Sequence, residues 1–144
     1  MRIMGIDYGD SRIGIAVSDP FGWIALGLDT ISNQGSLSKV IEKILTLAQE
    51  NKVEKIIIGY PKNMNGTIGP RGEKTLEFIN LLDKAINFGA ECPVELIKWD
   101  ERLTTVAANR AMHEMGTKIS KKKALVDKIA ATYILQGYLD SIKK

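Results

Sequence analysis

The chain predicts an α/β fold, a mixed five-stranded sheet flanked by helices in a single domain spanning 1–144. Three observations carry that expectation. The first third of the sequence alternates apolar and polar residues in the two-residue rhythm of strands and is broken by short turns; two later apolar runs, one holding Ile56, Ile57 and Ile58 in succession, read as strands; and between and after those runs apolar residues recur at helical spacing. With 144 residues, 44% of them hydrophobic, the chain can build one compact core and falls short of two.

Taken in order, residues 2–8 form the first strand. Residues 11–19 form the second, in which Ile13, Ile15 and Val17 alternate with Arg12, Gly14 and Ala16, and residues 22–31 form the third. The turns "YGDS" and "DPFG" are short enough to make these an antiparallel meander. Leu37, Val40, Ile41, Ile44, Leu45 and Ala48 then repeat at helical spacing over 36–50, with Ser36 or Ser38 as N-cap. "EKIIIGYP" reads as a central strand covered on both faces. A Gly- and Asn-rich stretch, "KNMNGTIGPRG", leads into a helix over 71–88, and "PVELIKW" is the fifth strand. Helices over 104–115, stopping at Gly116, and over 121–141 close the chain. Strands that return through helices lie parallel to the first, so the expected order is 3-2-1-4-5 with strand 2 antiparallel to the rest.

Composition excludes several function classes. No stretch approaches the roughly 20 apolar residues of a membrane span, and the N-terminus lacks the pattern of a signal peptide, so a soluble cytoplasmic protein without membrane partners is expected. Cys92 is the sole cysteine and His113 the sole histidine, which removes disulfides and zinc sites of nitrogen or sulfur ligands. Charge is uneven: from Arg110 to Lys144 there are eight Lys or Arg against three Asp or Glu, and the total is only +3. The basic "KISKKK", Lys118 to Lys123, suits either phosphate contact or a solvated helix entrance.

Three acidic positions stand out against this background. Asp7 ends the first strand, where an ionised carboxylate must be paired, hydrogen-bonded or bound to a cation; a turn cap before Gly9 is the plain alternative. Asp100 and Glu101 end the last strand and come to the same sheet edge, where ligands bind in open sheets; they also suit the dipole of a following helix. Asp127 falls on the apolar stripe of the last helix with Ala130, Ala131, Ile134 and Tyr138, opposite a polar face of Lys128, Thr132, Gln136 and Asp140. A salt bridge to Arg12 or Arg102 would also account for it. Carboxylates from three segments at one edge describe an oxygen-ligand site for Mg²⁺ or Mn²⁺. Two such ions about 3.5–4 Å apart can activate a water and stabilise the leaving oxygen of a phosphodiester.

The strand order and these acidic positions resemble the ribonuclease H-like superfamily of metal-dependent nucleases. Through "GIDYGDSRIGIAVSD", "IIIGYPKNMNG", "WDERLTT" and "VDKIAATYILQGYLD" the chain is similar to the YqgF/RuvX family, described as Holliday junction resolvases and as nucleases maturing the 5' end of pre-16S rRNA. The resemblance implies catalytic roles for Asp7, Asp100 or Glu101, and Asp127, with Asp7, Glu101 and Asp127 as ligands of two metal ions and Glu101 preferred within the acidic pair. Products with a 5' phosphate and a 3' hydroxyl are implied as well. Lys62, Asn63, Asn65 and Arg71 would face the nucleic acid from a loop that Gly66 and Gly69 let move, and Arg102, Lys118, Lys121, Lys122 and Lys123 would hold its backbone. Asp10 and Asp19 look like turn residues.

Two other readings are compatible with the residues. One is a nucleic-acid or ribosome-associated binding module without turnover. The other follows from "DYGDSRIGIAV", which also resembles the first phosphate-binding hairpin of actin- and Hsp70-like ATPases, although those clamp nucleotide between two such units and this chain has one. Junction cleavage needs two symmetric cuts and hence a homodimer, whereas trimming one RNA end needs a monomer.

Overall fold

The computed structural model describes residues 2–60, 69–89, 94–100 and 119–142, with backbone alone at 71, 88–89 and 119–128. Strands β1 (Arg2–Tyr8), β2 (Arg12–Ser18), β3 (Ala25–Ser32), β4 (Val53–Tyr60) and β5 (Glu95–Asp100) form one sheet in the order β3-β2-β1-β4-β5. β2 is antiparallel to β1 and β3, while β4 pairs parallel with β1 and with β5. The expected order and directions are the observed ones, and β1 is central. Three helices are described: α1 (Leu37–Glu50), α2 (Pro70–Gly89) and α3 (Ile119–Ile142). The helix expected over 104–115, together with Gly116, Cys92 and His113, lies outside the described residues.

Strand alternation divides the core into two layers. On one face Met4, Ile6, Ile13, Ile15, Ile56 and Ile58 meet Val40, Ile41 and Ile44 of α1 and Phe78, Ile79 and Leu82 of α2. On the other, Ile3, Ala16 and Ile57 meet Ala131, Ile134, Leu135 and Tyr138 of α3. Each fully buried Ile or Leu contributes about 1.5–3 kcal/mol, so a two-sided central strand is the strongest element of the sheet. α3 reaches that strand because Gly5 has no side chain. A Cβ built there would stand 2.7 Å from the Leu135 Cβ and 3.0 Å from the Ala131 carbonyl oxygen.

Two local departures from expectation have clear causes. β3 begins at Ala25 rather than 22, because the Asp19 carboxylate accepts hydrogen bonds from the backbone N–H groups of Trp23 (2.7 Å) and Ile24 (3.0 Å) and holds them in a turn. Gly22, at φ 73°, completes that turn in a conformation other residues rarely adopt. Gln136, expected on the polar face of α3, instead bridges to the sheet: its Oε1 accepts from Ala25 N at 2.9 Å and its Nε2 donates to the Trp23 carbonyl at 3.1 Å. Ser36 sits at the α1 N-cap as expected but makes no side-chain capping bond, its Oγ lying 2.8 Å from the Ser38 Oγ.

The Gly5 contact is testable. Gly5→Ala forces Leu135 or the Ala131 backbone to shift and is expected to lower the unfolding free energy by about 1–3 kcal/mol, measured by urea denaturation. An unchanged midpoint would show that α3 does not press on β1.

Candidate metal centre

Asp7 is the penultimate residue of β1 and is only 5% exposed, with Oδ1 out of contact with solvent. Alternation from Ile3 and Gly5 puts its side chain on the α3 face of the sheet. Its register partner on β2 is Gly14, which contributes no side chain beside the carboxylate. Arg12, two residues earlier on β2 and partly buried, belongs to the same face. A carboxylate thus lies buried at the C-terminal edge of the central strand, next to a position left empty of side chain.

The turn that follows is fixed from outside. At Gly9 a Cβ would fall 2.5 Å from the Arg12 carbonyl oxygen, so that position accepts glycine. Asn33, just past β3, donates from Nδ2 to the Gly9 carbonyl and from its backbone N to the Ser11 carbonyl, both at 2.8 Å. Tyr8 stacks on Phe78 of α2 with ring centroids 4.4 Å apart, which brings the front of α2 to this edge. There Lys74 pairs with Asp10 at 3.7 Å, both groups being well exposed. Asp10 and Asp19 therefore act in turns, as the sequence predicts. Asn33 was not legible as part of this edge, because its partners lie more than 20 residues earlier and no local pattern marks it.

The other acidic positions approach the same edge differently. Asp100 ends β5 in register with Tyr60, on the face shared by Leu96 and Lys98; the Lys98 ammonium lies 5.8 Å from the Tyr60 ring centre on that side. Asp100 is thus at the edge of Asp7 and on the opposite face, exposed. For α3 the direction follows from its contacts. Gln136 binds Ala25, which pairs with Ser18, whose Oγ accepts from Ile3 N; the Ala131 carbonyl lies over Gly5. Earlier turns of α3 therefore lie toward Asp7. Backbone position 127 is one turn before Ala131, about 6 Å along the helix, while Asp7 is about 6.6 Å beyond Gly5 along the strand.

Of the expected nucleic-acid contacts, Arg71 is in the first turn of α2 and Lys121, Lys122 and Lys123 are in the first turns of α3, described as backbone. Lys62, Asn63, Asn65, Glu101, Arg102 and Lys118 lie outside the described residues. Among the described residues no three His, Cys, Asp or Glu side chains gather as a metal site. What the described part supplies is one buried oxygen donor at a sheet edge, and its chemistry fits a hard, oxygen-preferring cation rather than a soft one.

Sheet order and two-sided cover define a ribonuclease H-like fold. In structural comparison the chain matches Thermus thermophilus RuvC in complex with a Holliday junction substrate, with TM-score 0.58 and 14% identity over 98% of this chain and 94% of that one. It matches the Fowlpox virus resolvase, solved with Holliday junction DNA, with TM-score 0.55 and 15% identity over all of both chains. These likenesses establish the fold. The chain belongs to the RuvX family, whose model, described as Holliday junction resolvase, matches residues 1–141. A protein of Acetivibrio thermocellus named "Putative pre-16S rRNA nuclease" is 60% identical over 141 residues, covering 98% of this chain and 96% of its own. One of the same name from Clostridium kluyveri is 51% identical over 144 residues and covers both chains in full. No described helix is long and apolar enough to cross a membrane.

The Asn33 clamp generates a prediction. Asn33→Ala removes a hydrogen bond to the Gly9 carbonyl and is expected to destabilise the fold by about 0.5–1.5 kcal/mol, with faster amide exchange confined to the Gly9–Arg12 turn. Uniform exchange changes across the sheet would contradict a local role.

Proposed function

We propose that the chain is a metal-dependent nuclease that hydrolyses phosphodiester bonds of structured RNA, processing the 5' end of pre-16S rRNA. The burial of Asp7 at the C-terminal end of the central strand carries this reading: an ionised carboxylate held there must be paired, hydrogen-bonded or bound to a cation, and that end of an open sheet is where ligands bind. Asp7, Glu101 and Asp127 would hold Mg²⁺ or Mn²⁺, two ions in all. When bound, such ions supply activation of water and neutralisation of the leaving oxygen. Within the acidic pair, alternation along β5 supports Glu101: Asp100 shares the Leu96 and Lys98 face, opposite to that of Asp7.

The chain's own residues then bind and orient the substrate. Lys62, Asn63 and Asn65 between β4 and α2 with Arg71 in the first turn of α2, and Arg102 and Lys118 between β5 and α3 with Lys121, Lys122 and Lys123 in the first turns of α3, contact phosphates. Such contacts position a strand without reading its sequence. The RNA substrate is supported by relatives 51–60% identical over nearly their whole length that carry the pre-16S rRNA nuclease name, and the family description supports a four-way DNA junction as the second substrate to test.

Purified protein is incubated with Mg²⁺ or Mn²⁺ and either labelled precursor-end RNA or junction DNA. Precursor RNA is expected to be cut, and Asp7→Asn to lower the rate by about 10³-fold or more, since several kcal/mol of charge stabilisation are lost. RNA binding by that variant, in a gel-shift assay, is expected to stay within about twofold, because phosphate contacts supply the affinity. Undiminished cleavage by Asp7→Asn would overturn the reading, and cleavage of junction DNA alone would replace the substrate. Binding of the RNA should also weaken steeply between 50 and 200 mM salt, by about tenfold or more if several phosphates are contacted.

A further inference from the structure

The turn that follows Asp7 carries a second acidic group, and a cation from another element stands beside it. Lys74 Nζ lies 3.7 Å from Asp10 Oδ1, with the two side chains 64% and 65% exposed. That separation is longer than the roughly 2.7–3.2 Å of an N–H···O hydrogen bond, and so exposed a pair adds little to stability. What holds α2 to the sheet is instead the burial of Phe78, Ile79 and Leu82.

Both partners nevertheless stand on fixed backbone. Asp10 is flanked by Gly9, whose carbonyl accepts from Asn33 Nδ2, and by Ser11, whose carbonyl accepts from Asn33 N, each at 2.8 Å. Lys74 comes four residues before Phe78 and shares its face of α2, and the stack of Phe78 on Tyr8 keys that face to the residue after Asp7. Among the described residues the ion pair of Lys74 is with Asp10 and not with Glu77, the acid three residues along its own helix that would pair with it on an ordinary solvated surface. The ammonium is thus held at the C-terminal edge of the sheet, over the turn that leaves Asp7. Neither the Gly- and Asn-rich loop nor the basic run 118–123 contains it.

A cation so placed suits a phosphate better than it suits Asp10. A phosphodiester brings a full negative charge, and its neutralisation releases counterions from the nucleic acid, whereas breaking a long, solvated ion pair costs little. We propose that Lys74 contacts a backbone phosphate of the substrate strand and that Asp10 is an internal competitor, holding the ammonium at the sheet edge in the free chain and yielding it when the strand binds. The inference deepens the nuclease reading above and rests on it for the identity of the strand as RNA.

The test measures affinity for labelled precursor-end RNA by gel shift, in metal-free buffer between about 50 and 200 mM salt. It compares the full chain with Lys74→Met, Lys74→Arg, Asp10→Asn and the double variant Asp10→Asn/Lys74→Met, each checked for folding by circular dichroism. Lys74→Met is expected to lower the slope of log affinity against log salt by roughly one and Lys74→Arg to keep it, while Asp10→Asn raises affinity about two- to fivefold at low salt. In the Lys74→Met chain that gain should fall to roughly half or less. An unchanged slope for Lys74→Met, or the same loss in Lys74→Arg, overturns the phosphate contact. Equal gains from Asp10→Asn with and without Lys74 overturn the competitor role, and absence of RNA binding by the wild type overturns both. Cleavage with Mg²⁺ is scored separately: a Lys74-dependent slope in a chain that cuts neither precursor RNA nor junction DNA upholds the contact and overturns the nuclease reading, and cleavage with an unchanged slope does the reverse.

Discussion

The approach of α3 to β1 at Gly5 is the contact on which the rest of the structure depends. With a Cβ at that position only 2.7 Å from Leu135, any other residue would push the helix away from the sheet. Because the helix sits close, β1 is covered on both faces and Asp7, two residues on, is buried. An ionised carboxylate in that position must be paired, hydrogen-bonded or bound to a cation, and the proposed function assigns it a hard cation. The glycine that permits the packing therefore also permits the burial of the carboxylate.

α3 also joins the two ends of the sheet. Its middle, through Ala131 and Leu135, presses on β1 below Asp7, and the next residue, Gln136, fastens the opposite edge by bonding Ala25 and Trp23. One end of the sheet thus holds the buried Asp7 carboxylate, while the other displays Phe21 and Trp23 on the turn between β2 and β3.

Much of this was legible in the sequence because it rests on periodicity. The alternation of Ile13, Ile15 and Val17, the run Ile56–Ile58 and the helical spacing of Val40, Ile41 and Ile44 name their own faces, and the strand order followed from connection rules. The placement of Asp7 and Asp100 at one edge followed from parallel strands. What stayed hidden depends on contacts distant in sequence. Gly5 looked like an ordinary strand residue until Leu135 was placed over it, Gln136 looked solvent-facing until it met Ala25, and Asn33 reaches back to Gly9. The start of β3 was misplaced because an apolar run, Trp23 to Leu26, mimics a strand while the Asp19 side chain holds its first part as a turn. Glu101 and the side chain of Asp127 lie outside the described residues, so their roles rest on the resemblance and on strand parity.

The central claim, that Asp7 holds a divalent cation, is tested most directly by binding rather than by turnover. Titration of the folded chain with Mn²⁺, followed by paramagnetic resonance of the free ion, should show bound metal for the wild type and at least tenfold weaker binding for Asp7→Asn. Equal affinity in the two chains would contradict the account, whatever either of them does to RNA.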